Sequence, residues 1–272
     1  MRTLPPALFR LSLSYLIVGV GVALAGISQA QTSSDAANRK PIVVELFTSE
    51  GCSSCPPADL LLQKLVQSQP VPGADIIALE EHVDYWNHDG WTDPYSSAEW
   101  TQRQVVYGSI FKKDAYTPEM VVDGQSQFLG NDPREALVEI EQAAGEAKTD
   151  VSITPEKPDS KGVQQFTVSV KKLAGNTSGD TAEVWLAVTE DGLHSDVSRG
   201  ENAERMLDHI ATLRSLRKIG TANTNDATVS FQGTSAVKFN SHWNPEKIRV
   251  TILVQERRNR RILGAASIKI RD

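Results

Sequence analysis

The sequence predicts an α/β domain followed by a β-rich, sandwich-like domain in a chain of 272 residues. In the first part, residues 41–148, short apolar runs alternate with longer segments whose apolar residues recur at helical spacing. In the second part, residues 149–272, short strand-like runs follow one another with turn residues between them, which is typical of a β-sandwich. We therefore expect two domains that meet near residue 149.

The elements of the first domain are predicted in the order β-α-β-α-β-β-α. Residues 42–47 form a β-rich run that is too short for a helix, and residues 57–67 carry a leucine-rich face at helical spacing. Ser97 and Glu99 mark the capped start of a helix that runs to about Lys113. A strand, a hairpin and a final helix complete the order over residues 75–83, 120–129 and 133–147.

The second domain is predicted to consist mainly of short strands. The strand candidates are residues 151–153, 166–170, 184–188, 229–231, 250–254 and 262–270. Residues 202–217 are the exception, because their apolar residues recur at helical spacing and predict a helix. The histidines of this half, including His209, are expected to be surface or packing residues.

The N-terminus predicts export. Residues 1–30 combine early arginines, an apolar stretch and a Ser-Gln-Ala ending, which is the pattern of a signal peptide, with a retained anchor as the alternative. Residues 31–40 are expected to be a disordered tether. We therefore expect a periplasmic or secreted protein with no membrane span after cleavage. The formal net charge of −6 argues against nucleic acid as a partner.

Both cysteines of the chain lie in one Cys52-Ser53-Ser54-Cys55 motif between a predicted strand and a predicted helix. A thiol at a helix N-terminus has a lowered pKa, because the unpaired N–H groups and the helix dipole stabilise the thiolate. Cys52 is then the exchanging cysteine and Cys55 the resolving one, provided that the Cys52 sulfur can be reached from solvent. A structural disulfide is the open alternative.

The motif and a second one resemble the thioredoxin-like superfamily. Thr117-Pro118 precedes a predicted strand and Asp123-Gly124, as the cis-proline does in that superfamily. The resemblance implies a thioredoxin-like fold for residues 41–148, with Pro118 beside the dithiol and the Thr117 backbone binding an extended substrate.

Further segments resemble a secreted bacterial family, the domain-of-unknown-function 1223 family. The segments that carry this resemblance are residues 44–57, 82–86, 90–91, 116–118, 120–124 and 199–203. The family often has Asp where this chain has Asn87. The resemblance implies a fold but no substrate, because the family has no assigned function.

Three further residues are candidates for the site. Glu45 is the acidic residue of the first predicted strand, and the resemblance to thioredoxins implies that it shuttles protons for the buried cysteine. If Glu45 is buried, desolvation is expected to raise its pKa. Trp86 and Trp91 are expected to flank the dithiol and to contact a partner, with core packing as the alternative.

No metal site is predicted. The spacing of His82, Asp84, His88 and Asp89 matches no standard zinc pattern. No Gly-rich phosphate loop occurs, so no organic cofactor is expected.

The predicted function is that of an exported thiol–disulfide oxidoreductase that exchanges disulfides with a protein or small-thiol partner. The alternative is a binding module without turnover, which uses the dithiol for copper(I) or docks a protein partner. The sequence leaves the oligomeric state open.

Overall fold

The computed structural model describes Met1 and residues 39–159, 163–175, 179–223 and 228–270. Apart from Met1, the predicted signal peptide and the predicted tether up to residue 38 lie outside the described residues. Residues Arg39–Asp272 form one unit.

The described residues form helices and strands in the following order: β1 (Lys40–Thr48), α1 (Pro56–Ser68), β2 (Ala74–His82), α2 (Ala98–Phe111), β3 (Glu119–Val122), β4 (Ser126–Leu129), α3 (Pro133–Gly145), β5 (Val151–Pro155), β6 (Gln164–Lys171), β7 (Ala182–Glu190), β8 (Leu193–Val197), β9 (Arg205–His209), β10 (Thr212–Thr221), β11 (Val229–Val237), β12 (Ile248–Glu256) and β13 (Ile262–Lys269). None of the described helices is both long and apolar enough to cross a bilayer.

One mixed sheet of eight strands organises the protein, in the order β13-β12-β7-β10-β2-β1-β3-β4. Strands β1 and β2 are parallel over their whole length. Strand β10 lies parallel to β2 through the pair Thr212 and Glu80, and antiparallel to β7 on its other side. A three-stranded sheet, β11-β6-β5, and a β8-β9 pair complete the strands of the described residues.

The predicted fold class is wrong. We expected a thioredoxin-like α/β domain followed by a separate sandwich-like domain, but the described part of the chain is mostly β-sheet, with strands of both halves in one sheet. The physical reason is the β10–β2 contact, which joins strands far apart in sequence and which local periodicity does not record. The boundary near residue 149 stays a prediction.

The predicted helix over residues 202–217 is also wrong, because this segment contains β9 and most of β10. Leu207 and His209 are buried, whereas Met206 and Asp208 are exposed, which is the alternation of a strand. Pairing with β8 and β7 decides the conformation. Tertiary pairing therefore overrides the apolar spacing of this segment.

The local predictions of the first half are confirmed. The Ser97 side chain accepts a hydrogen bond from the Glu99 backbone N–H at the start of α2, and Asp132 caps α3 in the same way. Strands β3 and β4 form the predicted hairpin, and its turn residues Asp123 and Gly124 both have positive φ. Such a turn matches the twist of the paired strands.

Successive side chains of β1 point to opposite faces of the sheet. Val44 and Leu46 pack in the core that includes Ala58 and Leu62 of α1. Val43 packs instead in the core that includes Trp100 of α2. Residues of β2 follow the parallel register, so that Glu80 shares the face of Leu46, and Glu81 shares the face of Phe47.

Candidate functional site

The two cysteines are joined by a disulfide bond at the start of α1, with 5.4 Å between their Cα atoms. Cys55 is the N-cap residue, and its carbonyl oxygen accepts hydrogen bonds from the N–H groups of Ala58 and Asp59. Pro56 and Pro57 occupy the first helical positions, where a missing N–H leaves no partner unsatisfied. The dithiol motif therefore lies at a helix N-terminus, as its sequence indicates.

The disulfide is covered in this structure. Cys52 and Cys55 both have 0% of their surface exposed, whereas Ser53 and Ser54 between them are exposed. The expectation that the Cys52 sulfur is directly reachable from solvent is therefore not met in this conformation. Exchange at Cys52 requires a movement that uncovers it.

A segment from the second half of the chain lies against the dithiol loop, and we call residues 199–204 the cover segment. Glu201 Oε2 accepts a hydrogen bond from the Ser53 backbone N–H at 3.1 Å. Asn202 is fully buried, and its side-chain amide donates to the backbone oxygens of Glu50 and Cys52, both at 2.9 Å. These bonds hold the cover segment on the loop.

Gly200 lets the cover segment approach closely. It has a φ of +78°, and a Cβ at this position would lie 3.1 Å from the Asp89 carbonyl oxygen and 3.2 Å from Trp91 Cβ. A larger residue would therefore be strained both by its backbone and by its neighbours.

The Thr117–Pro118 peptide bond is cis, as the resemblance implied. Pro118 is buried and lies near the first turn of α1. Gly130 lies next to both, since a Cβ added to Gly130 would lie 3.2 Å from Pro118 Cβ and 3.4 Å from Ala58 Cβ. The Thr117 hydroxyl accepts a hydrogen bond from Trp86 Nε1 at 2.8 Å. The proline and the helix start that carries Cys55 are thus neighbours.

Both candidate tryptophans are partly buried and contact the loop before the dithiol. Trp86 packs closely against Gly51, since a Cβ added to Gly51 would lie 2.9 Å from Trp86 Cβ. Trp91 Nε1 donates to Glu50 Oε2 at 2.7 Å. Their observed contacts support the loop, and a role in binding a substrate stays a prediction.

Glu45 is buried, but it lies on the face of the sheet that α2 covers, opposite α1. Arg103 Nε donates to Glu45 Oε2 at 2.6 Å and the Tyr107 hydroxyl to Oε1 at 2.5 Å. Burial alone would raise the pKa of Glu45, but the Arg103 guanidinium outweighs it and holds this pKa below its ordinary value. The expected rise is therefore wrong, and the proton-shuttle role of Glu45 stays a prediction.

Asp59 is a buried carboxyl on the same helix as Cys55, and the sequence analysis did not single it out. Its Oδ1 accepts a hydrogen bond from the Thr48 hydroxyl at 2.6 Å. Burial and the charge of Glu80 raise the pKa of Asp59 to about 7. An aspartate on the otherwise apolar face of a predicted helix was the signal that could have found it.

A cluster of buried titratable residues surrounds Glu80, which lies on the face of the sheet that α1 covers, and we call it the histidine–carboxylate cluster. Its members are each no more than 3% exposed and each lies close to a partner in the cluster: Glu50, Glu80, His82, Asp93 and His209. His82 Nδ1 lies 2.7 Å from Asp93 Oδ2, and His209 Nε2 lies 3.0 Å from Glu50 Oε1. The opposite ring nitrogens, His82 Nε2 and His209 Nδ1, each lie 3.4 Å from a Glu80 oxygen.

The charges of the cluster shift one another's pKa values. Burial would raise the pKa of Glu80, but the two histidines outweigh it and lower this pKa to about 2. Burial would lower the pKa of His209, but Glu80 and Glu50 outweigh it and raise this pKa to about 10. The pKa of His82 is raised in the same way by Asp93 and Glu80. In the absence of any other cation the imidazoles therefore hold protons between carboxylates.

The cluster differs from the set of residues that the sequence analysis considered. His88 is exposed, and Asp84 accepts a hydrogen bond from Thr101. The sequence predicts His209 to be a surface or packing residue, whereas the structure buries it beside Glu50 and Glu80. The run Glu80-Glu81-His82 inside an apolar strand was the available signal, since charged residues are rarely buried without partners.

Comparisons with known proteins give a family and a fold but no activity. The profile of a family described as "Protein of unknown function (DUF1223)" matches residues 43–255. No curated protein matches the chain. A crystal structure of protein AGR_C_4864 from Agrobacterium tumefaciens is similar, with a TM-score of 0.64 and 24% identity over 85% of this chain and 94% of that one.

HBP35 of Porphyromonas gingivalis is also similar in structure, with a TM-score of 0.61 and 15% identity over 85% of this chain and 76% of that one. At these identities the likeness extends to the fold alone.

Proposed function

The chain belongs to the DUF1223 family, and we propose that it is an exported thiol–disulfide oxidoreductase that works through the Cys52–Cys55 disulfide. The observation that carries the proposal is the placement of this bond at the N-terminus of α1, with a buried carboxyl, Asp59, one helical turn beyond Cys55. The disulfide also fits a location outside the cytoplasm, in the periplasm or beyond the cell, where such bonds persist.

The chemistry proposed is an exchange of one disulfide for another. A substrate thiolate attacks Cys52 Sγ, the Cys52–Cys55 bond breaks, and Cys55 leaves as a thiolate while a mixed disulfide forms at Cys52. A second substrate thiolate then attacks the substrate sulfur of the mixed disulfide and releases Cys52. The protein gains two electrons and becomes a dithiol, and the substrate becomes a disulfide. The reverse sequence reduces a substrate disulfide.

Two features of α1 support this exchange. The helix dipole, positive at the N-terminus of α1, favours a thiolate at the helix start, although Pro56 and Pro57 carry no N–H there. Asp59 follows Cys55 by one turn on α1, and such residues are neighbours on a helix surface. Its raised pKa, about 7, lets Asp59 give a proton to the leaving Cys55 thiolate and take it back near neutral pH.

The cover segment must move before the exchange can occur. The exposed Glu201 carboxylate accepts a hydrogen bond from the Ser53 N–H, and the buried Asn202 amide donates one to the Cys52 carbonyl. Local openings of this size are common in proteins and cost much less than global unfolding. The structure then corresponds to an oxidised, closed form of the proposed enzyme.

An insulin-reduction assay with dithiothreitol as the reductant tests the proposal. The expected result is turnover that Cys52→Ser abolishes and that Ser53→Ala, at an exposed neighbouring position, leaves within about twofold. Absence of turnover in the wild-type protein, together with stoichiometric copper(I) binding by the reduced dithiol, would instead favour the binding module. The copper(I) alternative stays a prediction.

A further inference from the structure

We propose that Glu80, His82 and His209 form a buried site for a divalent transition-metal ion, with Zn²⁺ as the ion that fits best. Each residue offers one donor atom, and the three atoms lie within 4.8 Å of one another. The site is separate from the disulfide and does not depend on the proposed exchange. Its donors are two imidazole nitrogens and one carboxylate, a set that holds Zn²⁺ in several hydrolases.

The inner ring nitrogens of both histidines face the Glu80 carboxylate, and only the one of His209 makes a hydrogen bond to it, a long one of 3.4 Å. His82 Nε2 makes no hydrogen bond although the residue is fully buried, and it lies 3.4 Å from Glu80 Oε2. His209 Nδ1 lies 3.4 Å from Glu80 Oε1. An unpartnered ring nitrogen in a buried site is costly unless a further partner occupies the space beside it.

The donor set favours four-coordinate Zn²⁺. Two imidazole nitrogens and one carboxylate oxygen are ligands that Zn²⁺ takes in tetrahedral sites, and the three donor atoms lie within 4.8 Å of one another. The Glu80 carboxylate faces both rings, with Oε2 3.4 Å from His82 Nε2 and Oε1 3.4 Å from His209 Nδ1. Three protein ligands leave one tetrahedral position for water or another small ligand.

Both histidines are oriented as metal ligands usually are. Asp93 Oδ2 lies 2.7 Å from the outer nitrogen of His82, and Glu50 Oε1 lies 3.0 Å from the outer nitrogen of His209. Such carboxylate–histidine pairs fix the ring and its tautomer, so that the inner nitrogen presents its lone pair. Thr212 donates to Glu80 Oε2 at 2.9 Å and orients the third ligand.

These supporting contacts are themselves held by their neighbours. Asp93 Oδ2 also accepts a hydrogen bond from the Glu50 backbone N–H at 2.8 Å, and Trp91 Nε1 donates to the other Glu50 oxygen. The ring of Tyr95 lies 5.5 Å from each histidine ring. The site is therefore enclosed by groups whose positions do not depend on the ion.

Metal uptake by the full-length oxidised protein tests the proposal. The protein is stripped with a chelator and titrated with Co²⁺, which gives intense visible absorption when four-coordinate, and Zn²⁺ is then used to displace it. The expected result is one equivalent per chain, and a loss of at least 100-fold in affinity for His209→Gln. His194→Gln, at an exposed histidine, should bind as the wild type does.

A substitution in a buried site can also unfold the chain, so a second measurement uses the wild type alone. X-ray absorption of the zinc-loaded, oxidised protein should show two imidazoles in a four-coordinate nitrogen and oxygen shell. Sulfur ligands, a six-coordinate oxygen shell, or less than a tenth of an equivalent bound would overturn the proposal. The last result would leave the cluster as a network of protonated histidines and carboxylates.

Discussion

The side-chain amide of Asn202 lies 2.9 Å from the carbonyl oxygen of Cys52, a residue 150 positions earlier in the chain. The same amide bonds the Glu50 carbonyl, so that one buried side chain holds the cover segment on the loop before the disulfide. We infer that this contact limits access to Cys52, and it links the dithiol loop to the histidine–carboxylate cluster through Glu50.

Replacing Asn202 by Ala should expose the disulfide more often. The variant removes the Asn202 bond from the buried Glu50 carbonyl and one of two hydrogen bonds from the Cys52 carbonyl, which keeps the bond from the Cys55 N–H, and we expect it to lose about 1–3 kcal/mol of stability. We also expect reduction of the disulfide by dithiothreitol to become about tenfold faster in the folded protein. Ala203→Ser, at an exposed position of the same segment, serves as the control. An unchanged reduction rate in Asn202→Ala would show that the cover segment does not limit access.

Asp59→Asn should slow the exchange by removing the proton donor and acceptor on α1. General acid–base groups contribute about 10²- to 10⁴-fold to a rate, so a loss of at least about tenfold is expected in single-turnover reduction. Stopped-flow measurement of the Cys52–Cys55 reaction is the readout, with Asp75→Asn, at an exposed position of β2, as the control. Equal rates in both variants would remove Asp59 from the mechanism.

The sequence predicts those features that depend on residues close together in the chain, and it fails for those that depend on contacts between distant segments. The dithiol at a helix start and the capped helices follow from neighbouring residues, and the cis bond before Pro118 follows from the resemblance; all three are confirmed. The single sheet and strand β9 depend on pairing between distant segments. The histidine–carboxylate cluster was missed for the same reason, because His209 meets Glu80 only once β10 lies beside β2.

Arg103→Met should be strongly destabilising. Arg103 Nε lies 2.6 Å from Glu45 and 3.4 Å from Glu81, and both carboxylates are fully buried. Breaking a buried ion pair by removing one partner costs about 3–5 kcal/mol, because the remaining charge loses its counter-charge. Urea unfolding at neutral pH measures the loss, and Gln102→Met, at an exposed neighbour on α2, is the control. A loss below about 1 kcal/mol would contradict this role.

Glu119 should make stability depend on pH near neutrality. Burial raises its pKa from 4.5 to about 7, although the Gln104 amide and Lys113 act against this shift. The folded protein therefore binds more protons than the unfolded chain between these values, and this contribution to stability falls as the pH rises from 4.5 to about 7.

Glu119→Gln removes this titration. Relative to the wild type, the variant should gain stability as the pH increases from 5 to 8, by about 1.4 kcal/mol for each unit of pKa difference at most. Chemical denaturation at several pH values measures the difference. If the free energies of unfolding of wild type and variant changed in parallel with pH, the raised pKa of Glu119 would be contradicted.

The reduction potential of the Cys52–Cys55 couple tests the central claim most directly. The oxidised protein is equilibrated with dithiothreitol buffers of stepped potential, the thiols are trapped by alkylation, and the reduced fraction is counted by mass spectrometry. An exchange-active disulfide should titrate between roughly −270 and −120 mV. A potential below about −300 mV would mark an inert structural bond and would contradict the proposed function.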